Sequence, residues 1–208
     1  MKVLIGCEYS GRVRDAFTKK GHDATSCDLR PSETPGKHRQ CDLLTILDEG
    51  WDLMIAHPYC TFNNLAGIRW MYHPDDTALP PHLRRRHPQY PNRMDDFQKG
   101  IQFFIKLMNA PIPKIALENS QPHGLAMAHI GHYDQKVQPW HFGDGVTKAA
   151  CLWLKGLPLL KHTHTRGDYD MIRADCHLMS PGPNREKERS RTSHAIANAM
   201  AEQWGGAL

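Results

Sequence analysis

The sequence predicts an α/β fold: a mainly parallel sheet with helices on both faces. Two observations carry this expectation. Short apolar runs of strand length alternate along the chain with segments of helical periodicity, and such alternation packs helices over both sides of a parallel sheet.

Val3-Leu4-Ile5 reads as a short buried strand, and Arg12 to Lys20 follows with Val13, Ala16 and Phe17 at helical spacing. Gly21 ends that helix, and Thr25-Ser26-Cys27 leads into Asp28 as a second strand. Asp52 to Ala56 is a third, running into a turn at Pro58. Met94, Phe97, Ile101, Phe104 and Met108 recur at steps of 3, 4, 3 and 4. They predict a helix with Asn92 as its N-cap, Asp95 and Asp96 at the positive end of its dipole, and Pro111 as its stop. Ile115-Ala116-Leu117 is the next strand, ending at Glu118, and Cys151 to Leu154 is a later one. Ser190 to Trp204, with Ala195, Ile196, Ala199 and Met200, closes the chain as an amphipathic helix, while His162 to Arg191 reads as irregular.

A length of 208 residues suits one domain with a substantial core, expected to span 1–208. Apolar residues make up 40% and charged residues 23%, and no apolar stretch reaches the roughly 20 residues of a membrane helix. Collagen, coiled coil and wholly disordered classes are excluded on composition. The 16 glycines and 15 prolines predict long irregular loops, where function concentrates. The net charge of +4 is mild, but its distribution is uneven. Arg84, Arg85 and Arg86 share the proline-rich loop 61–93 with Arg69 and Arg93, interleaved with Trp70, Tyr72 and Tyr90 and opposed only by Asp75 and Asp76. Cations suit phosphates and aromatic faces suit bases, so this loop is a candidate nucleic-acid surface.

The six cysteines contain no Cys-x-x-Cys pair, and the N-terminus enters a strand directly. Both features predict an intracellular, cytoplasmic protein with reduced thiols and no signal peptide. His129 with His132, and His162 with His164, lack a third ligand at recognisable spacing, so no metal site is expected.

In parallel sheets ligands sit at the carboxyl ends of the strands. The residues to read are therefore Cys7-Glu8-Tyr9-Ser10-Gly11, Asp28, His57-Pro58-Tyr59-Cys60 and Glu118-Asn119-Ser120. The Ser10-Gly11 turn before a helix presents backbone N–H groups to a polar ligand. Asp28, about 20 residues on, stands where this architecture grips a ribose hydroxyl, or is a turn carboxylate before Pro31. Asp42 either accepts from an adenine amino group or caps a turn. Cys60 is a candidate nucleophile, with Glu118 within reach of the same substrate from a neighbouring strand end.

In this order the residues resemble the DNA cytosine-5 methyltransferases, most closely short phage-encoded members without a target-recognition domain. The Cys7 to Gly11 turn resembles the first cofactor motif, and Asp28 and Asp42 stand at its two acidic cofactor contacts. Pro58-Tyr59-Cys60-Thr61 resembles the Pro-Cys-Gln nucleophile motif and Leu117-Glu118-Asn119-Ser120 the Glu-Asn-Val motif. Phe142-Gly143 through Leu154 resembles the Tyr-Gly…Gln-x-Arg-x-Arg strand, with Lys148 at the first arginine, and Arg191 to Trp204 resembles the C-terminal motif.

The resemblance implies a Rossmann-like class I S-adenosylmethionine-dependent methyltransferase fold. It implies that Cys7, Glu8, Tyr9, Ser10, Gly11, Asp28, Leu29, Asp42 and Pro58 hold the cofactor S-adenosylmethionine. Cys60 would add to C6 of cytosine and Glu118 would hydrogen-bond N3 and the amino edge. Tyr59, Asn119, Lys148, Arg69, Arg84, Arg85 and Arg86 would contact DNA, as a duplex with a flipped cytosine or as a single strand. Tyr59, Thr61, Ser120 and Ala150 depart from the family pattern, the last at the second arginine. Only about 30 residues, with 159–189 at their centre, separate Pro158 from the last helix, where family members that read a sequence carry a further domain. Little intrinsic sequence specificity is expected, and a monomer, with a specificity partner as the other source of target choice. The alternatives are an exocyclic-amine DNA methyltransferase, suggested by Ala56-His57-Pro58-Tyr59, a cytosine-nucleotide methyltransferase, and an inactive DNA-binding or antirestriction protein of the same fold.

Overall fold

The computed structural model describes residues 1–183 and 185–206. The chain runs β1 (Lys2–Gly6), α1 (Arg12–Lys19), β2 (Asp23–Asp28), β3 (His38–Gln40), β4 (Leu53–Ala56), α2 (Arg93–Met108), β5 (Lys114–Asn119), α3 (Gly124–Ile130), β6 (Gln135–Val137), β7 (Ala150–Lys155), α4 (Asp175–Leu178), α5 (Arg185–Ser190) and α6 (His194–Gly205). The seven strands form one sheet in the order β3-β2-β1-β4-β5-β7-β6. β3, β2, β1, β4 and β5 are mutually parallel, and β7 lies antiparallel to both β5 and β6. This is the Rossmann-like arrangement of the class I methyltransferase fold.

The strands alternate faces with period two, and both faces are apolar. Val3, Ile5, Leu53, Ile55, Ala116 and Leu152 point to one side, where Val13 and Phe17 of α1 and Ile196, Met200 and Trp204 of α6 cover them. Leu4, Met54, Ile115, Leu117, Cys151 and Trp153 point to the other, under Phe104 and Leu107 of α2 and beside Trp51 and Ile46. Each buried Val, Leu, Ile, Phe or Met side chain among them contributes about 1.5–3 kcal/mol. A satellite cluster of Met71, Phe97, Ile101 and Ala126, with Phe62, Ile68 and Tyr72 against it, fixes loop 61–93 onto the first half of α2 and onto α3.

Several local expectations differ in detail. Asn92 occupies the N-cap position of α2 but its side chain caps nothing; its carbonyl accepts from the Asp96 N–H at 3.0 Å. The C-terminal helix begins at His194, capped by Ser193 Oγ accepting from the Ala195 N–H at 3.1 Å. Arg185–Ser190 is a separate turn of helix. The break at Arg191-Thr192 frees the Arg191 carbonyl for Lys148 Nζ, 2.5 Å away, and its guanidinium for Glu33, with both contacts at 2.9 Å. No local pattern predicts β3, β6 or α3: β3 and β6 span three residues each, and α3 is a seven-residue helix that opens on a glycine and carries a histidine.

Candidate active site

The first turn is built around Glu8. Its buried carboxylate accepts from the Val13 N–H at 2.7 Å, the Arg14 N–H at 3.2 Å and the Ser10 hydroxyl at 3.3 Å. Glu8 thereby caps α1 from outside the helix, since Gly11 at the N-cap has no side chain to do so. Gly11 sits at φ 75°, and a Cβ there would run into Thr34 Oγ1 and the Arg14 guanidinium. Arg14 is 1% exposed and spends its guanidinium on Asp15, Ser26, Ser32, Thr34 and the Pro35 carbonyl. It thus pins the loop that follows Asp28 and Leu29.

Above this turn lies a cleft of 540 Å³ at the carboxyl ends of β1, β2, β3 and β4. Of the residues implicated in cofactor binding, Cys7, Tyr9, Asp28, Leu29 and Asp42 line it; Glu8, Ser10, Gly11 and Pro58 do not. Leu44, Phe103, His57, Tyr59, Glu186 and Ser190, not foreseen for this role, complete its wall. Asp28 Oδ1 accepts from the Arg30 N–H at 2.9 Å and Asp42 Oδ1 from the Leu44 N–H at 3.0 Å. In each carboxylate the second oxygen takes no hydrogen bond among the described residues, so each retains an acceptor. Two spare carboxylate oxygens beside Leu29, Leu44 and Phe103 fit a nucleoside: hydroxyl and amino donors on one side, a flat apolar base on the other. Cys7 does not compete as a nucleophile, because burial and then the Asp28 charge push its thiol up.

Segment 185–191 borders this cleft. Tyr9 Oη bonds the Lys187 carbonyl at 2.8 Å and Ser190 Oγ at 2.6 Å, and Glu33 holds Arg191 and Lys187 together. The hydrogen bond from Arg191, with Lys187 adding, lowers the Glu33 carboxyl to about 2.

The second half of the site is where β4 and β5 end side by side, Ala56 opposite Leu117. Adjacent parallel strands lie about 4.8 Å apart, so the residues just beyond these ends share one surface. Asn119 Nδ2 donates to the Pro58 carbonyl at 3.2 Å and ties the two ends together. His57 Nδ1 lies 2.7 Å from Glu118 Oε2, with both side chains largely withdrawn from solvent. Lys148 faces Glu118 and Cys60. Burial lowers its ammonium pKa and the Glu118 charge opposes that shift. Ala150, at the second arginine's place, faces the core beside Leu152 rather than the site. His57 Nε2, Asn119 Oδ1 and Ser120 Oγ are buried without a partner among the described residues. Orphaned polar atoms gathered at two neighbouring strand ends mark a surface that binds something polar.

Cys60 is partly exposed and opens a turn, its carbonyl accepting from the N–H groups of Asn63 at 3.0 Å and Asn64 at 3.2 Å. Arg93, read from sequence only as one of the loop's cations, and His123, not singled out at all, hold this turn. Arg93 Nη2 donates to the Thr61 carbonyl at 2.9 Å with its guanidinium 5.0 Å over Phe62, and His123 Nε2 bonds the Phe62 carbonyl at 3.0 Å. Gly67 packs so closely on the Thr61 carbonyl that any Cβ would collide with it. Tyr59 is 56% exposed beside Phe62.

The arginine triplet is largely spent on the loop's own structure. Arg84 donates to the Leu79 and Thr77 carbonyls at 2.7 and 3.0 Å, and Arg86 pairs with Asp95 at 2.7 Å. Arg85 is held by Asp76. Arg69 is exposed and lies 4.8 Å over Trp70, with no acidic partner among the described residues. Among the described residues no cluster of three metal-ligating side chains exists and no helix is long and apolar enough to cross a membrane.

No protein-family model matches the chain, and no curated protein does. Among solved structures it resembles a prophage-encoded protein of E. coli assigned as a DNA modification methyltransferase, with 14% identity and a TM-score of 0.43, over 76% of this chain and 48% of that one. It also resembles the Entamoeba histolytica methyltransferase EhMeth, with 12% identity and a TM-score of 0.46, over 78% of this chain and 56% of that one. The chain spans about half the length of these structures. The fold assignment rests on the strand order itself.

Proposed function

We propose that the chain is an S-adenosylmethionine-dependent methyltransferase acting on C5 of cytosine in DNA, with Cys60 as nucleophile and Glu118 as the group that grips the base. The observation that supports the reading is that β4 and β5 end side by side, Ala56 opposite Leu117, so that Glu118 and the turn bearing Cys60 leave the same edge with Lys148 facing both, beside a cleft with two spare carboxylate acceptors.

When bound, S-adenosylmethionine supplies an electrophilic methyl group on a sulfonium. Asp28 and Asp42 would take ribose and adenine donors, with Leu29, Leu44 and Phe103 against the base. The Cys60 thiolate adds to C6, and the electron pair released from the C5–C6 double bond makes C5 nucleophilic. Glu118 holds N3 and the amino edge, which stabilises the protonated ring as this charge develops. Extraction of the base from a duplex costs a few kcal/mol, offset by Tyr59 and Arg69 with Trp70 on the loop that follows Cys60. The described residues of segment 159–189 contribute only short helical turns, which supports low intrinsic sequence specificity.

The test is transfer of label from S-adenosylmethionine to DNA followed by nucleoside analysis. 5-Methylcytosine is expected, with Cys60→Ala inactive, Glu118→Gln slowed by about 10² or more, and a covalent adduct accumulating on DNA containing 5-fluorocytosine. Label on an amino nitrogen, or transfer that survives Cys60→Ala, would refute the cysteine-addition reading.

A further inference from the structure

We propose that His57 is the proton reservoir of the site: its Nδ1–H, held on Glu118 Oε2, supplies the proton that Glu118 delivers to N3 of cytosine as Cys60 adds. The inference rests on the cytosine-5 reading above and names a positioning residue, acting through Glu118, that the motif resemblance does not contain.

The geometry is a buried hydrogen-bonded pair. The Nδ1–Oε2 separation of 2.7 Å is that of a charge-assisted hydrogen bond. His57 Nε2 is buried without a partner, so Glu118 is the only group hydrogen-bonded to this imidazole among the described residues. A proton leaving Nδ1 therefore has one route, through the carboxylate. Asn119 orients the same strand end through the Pro58 carbonyl.

Electrostatics make the reservoir necessary. Burial raises the Glu118 carboxyl, but the hydrogen bond and charge of His57, with Lys148 adding, carry it below the ordinary carboxylate range. Glu118 is therefore ionised near neutral pH and has no proton of its own to give. Burial pulls His57 down, but Glu118, with Glu8 adding and Lys148 opposing, carries it net above its ordinary value. The groups facing the imidazole are thus Glu118 from β5, Glu8 from the β1–α1 turn and Lys148 from the segment before β7. Both directions favour an imidazolium facing a carboxylate.

The step balances. The thiolate forms the S–C6 bond, the C5–C6 π pair delocalises toward N3, and the proton of His57 Nδ1 passes first onto Glu118 Oε2 and then, as the same proton, from Glu118 to N3. The products are a neutral adduct, a carboxylate and a neutral imidazole that keeps its Nε2 proton. Reversal expels the thiolate and returns the proton to His57. While the adduct exists, C5 can exchange its hydrogen with solvent, so the step is measurable without a methyl donor.

The experiment is therefore tritium release from mixed-sequence DNA containing [5-³H]cytosine, single- and double-stranded, with no cofactor added, across pH 5–10. Wild type should show a rate that falls on the alkaline side as His57 loses its proton. His57→Asn, whose amide can keep the hydrogen bond to Glu118 but cannot titrate, should be slower by about 10² and should lack the descending limb. If wild type exchanges and His57→Asn keeps the descending limb or the full rate, the proposal falls and the cytosine-5 reading stands. If wild type neither exchanges nor forms the 5-fluorocytosine adduct, that reading falls and the proposal with it. Should His57→Asn fail to fold, NMR titration of histidine Cε1–H resonances decides. One imidazole should titrate above the ordinary range in wild type and move down in Glu118→Gln; an unmoved titration would overturn the proposal.

Discussion

Arg85 is locked onto Asp76. Its Nη2 lies 2.6 Å from Asp76 Oδ1, its Nε 3.0 Å from Oδ2, and its backbone N–H donates to the same carboxylate at 2.8 Å. Asp76 is buried, and these bonds, the side-chain one first, lower its carboxyl to about 2. The middle arginine of the triplet is thus a strut of the loop. Because the carboxyl is depressed from 3.8, its contribution is fully present above that value and is lost as pH falls toward about 2. Asp76→Asn should remove this acid limb and speed amide exchange around Tyr72 and Arg86, which pair across the loop. Hydrogen-exchange mass spectrometry checks it, and unchanged protection would show that the lock does not order the loop.

The same logic separates the arginines as DNA contacts. Arg69 is exposed and free of any acidic partner among the described residues, whereas Arg85 and Arg86 already face carboxylates. Arg69→Ala should weaken DNA binding across all sequences and lower the slope of log affinity against log salt by about 1. Arg86→Ala, which also frees Asp95, should change that slope less. Equal slopes for the two variants would mean that the Arg86–Asp95 pair opens on DNA.

The sheet was legible because its strands are buried on both faces: runs such as Leu53-Met54-Ile55-Ala56 carry their signal without needing a partner. The short edge strands carry none, since His38–Gln40 and Gln135–Val137 are mostly polar and owe their conformation to neighbouring strands. Of the candidate site, Glu118 and Cys60 follow the apolar runs of β5 and β4, Asp28 stands at the end of an expected strand about 20 residues after the first turn, and Asp42, after a polar stretch, has no such local signal. His57 also follows the β4 run, but its worth lies in a contact with Glu118 across 61 residues, which no local pattern encodes. The holding roles of Arg93 and His123 escaped for the same reason, because what they hold is the backbone of another segment. In the arginine triplet, sequence does not reveal which charges face carboxylates: among the described residues Arg85 and Arg86 do and Arg84 does not.

Asp28 and Asp42 each retain one carboxylate oxygen at the cleft, and the other caps a neighbouring backbone N–H. Asp28→Asn and Asp42→Asn preserve the cap in the rotamer that leaves the amide oxygen on the backbone, but turn a donor group toward the ligand. Each should weaken S-adenosylmethionine binding by about 10-fold or more, the worth of a hydrogen bond to a charged acceptor, with no change in thermal midpoint of the free protein. Calorimetric titration measures the first and a melting curve the second. A loss of stability without a loss of affinity would make these carboxylates turn caps alone.

The His57–Glu118 pair also sets a pH window for stability. His57 is raised from 6.5, so its contribution is fully present below that value and is lost as pH rises through its folded value. Glu118 is lowered from 4.5, so its contribution is fully present above that value and is lost as pH falls through its own. The pair therefore stabilises most between about 4.5 and 6.5, a window opposite in trend to His141. Burial, with His162 adding, lowers His141 from 6.5 to about 4, so it stabilises the fold least on that acid side. Because several groups titrate together, the informative quantity is the difference in urea unfolding free energy between wild type and His57→Phe at each pH. Removing one partner of a buried pair costs about 3–5 kcal/mol, so the difference should be near that size inside the window and shrink above it as His57 deprotonates. Glu118→Gln should lose the window while keeping a neutral hydrogen bond. A difference that stays flat from pH 4 to pH 9 would mean that the two groups share a hydrogen bond without charge, and that the site's proton resides elsewhere.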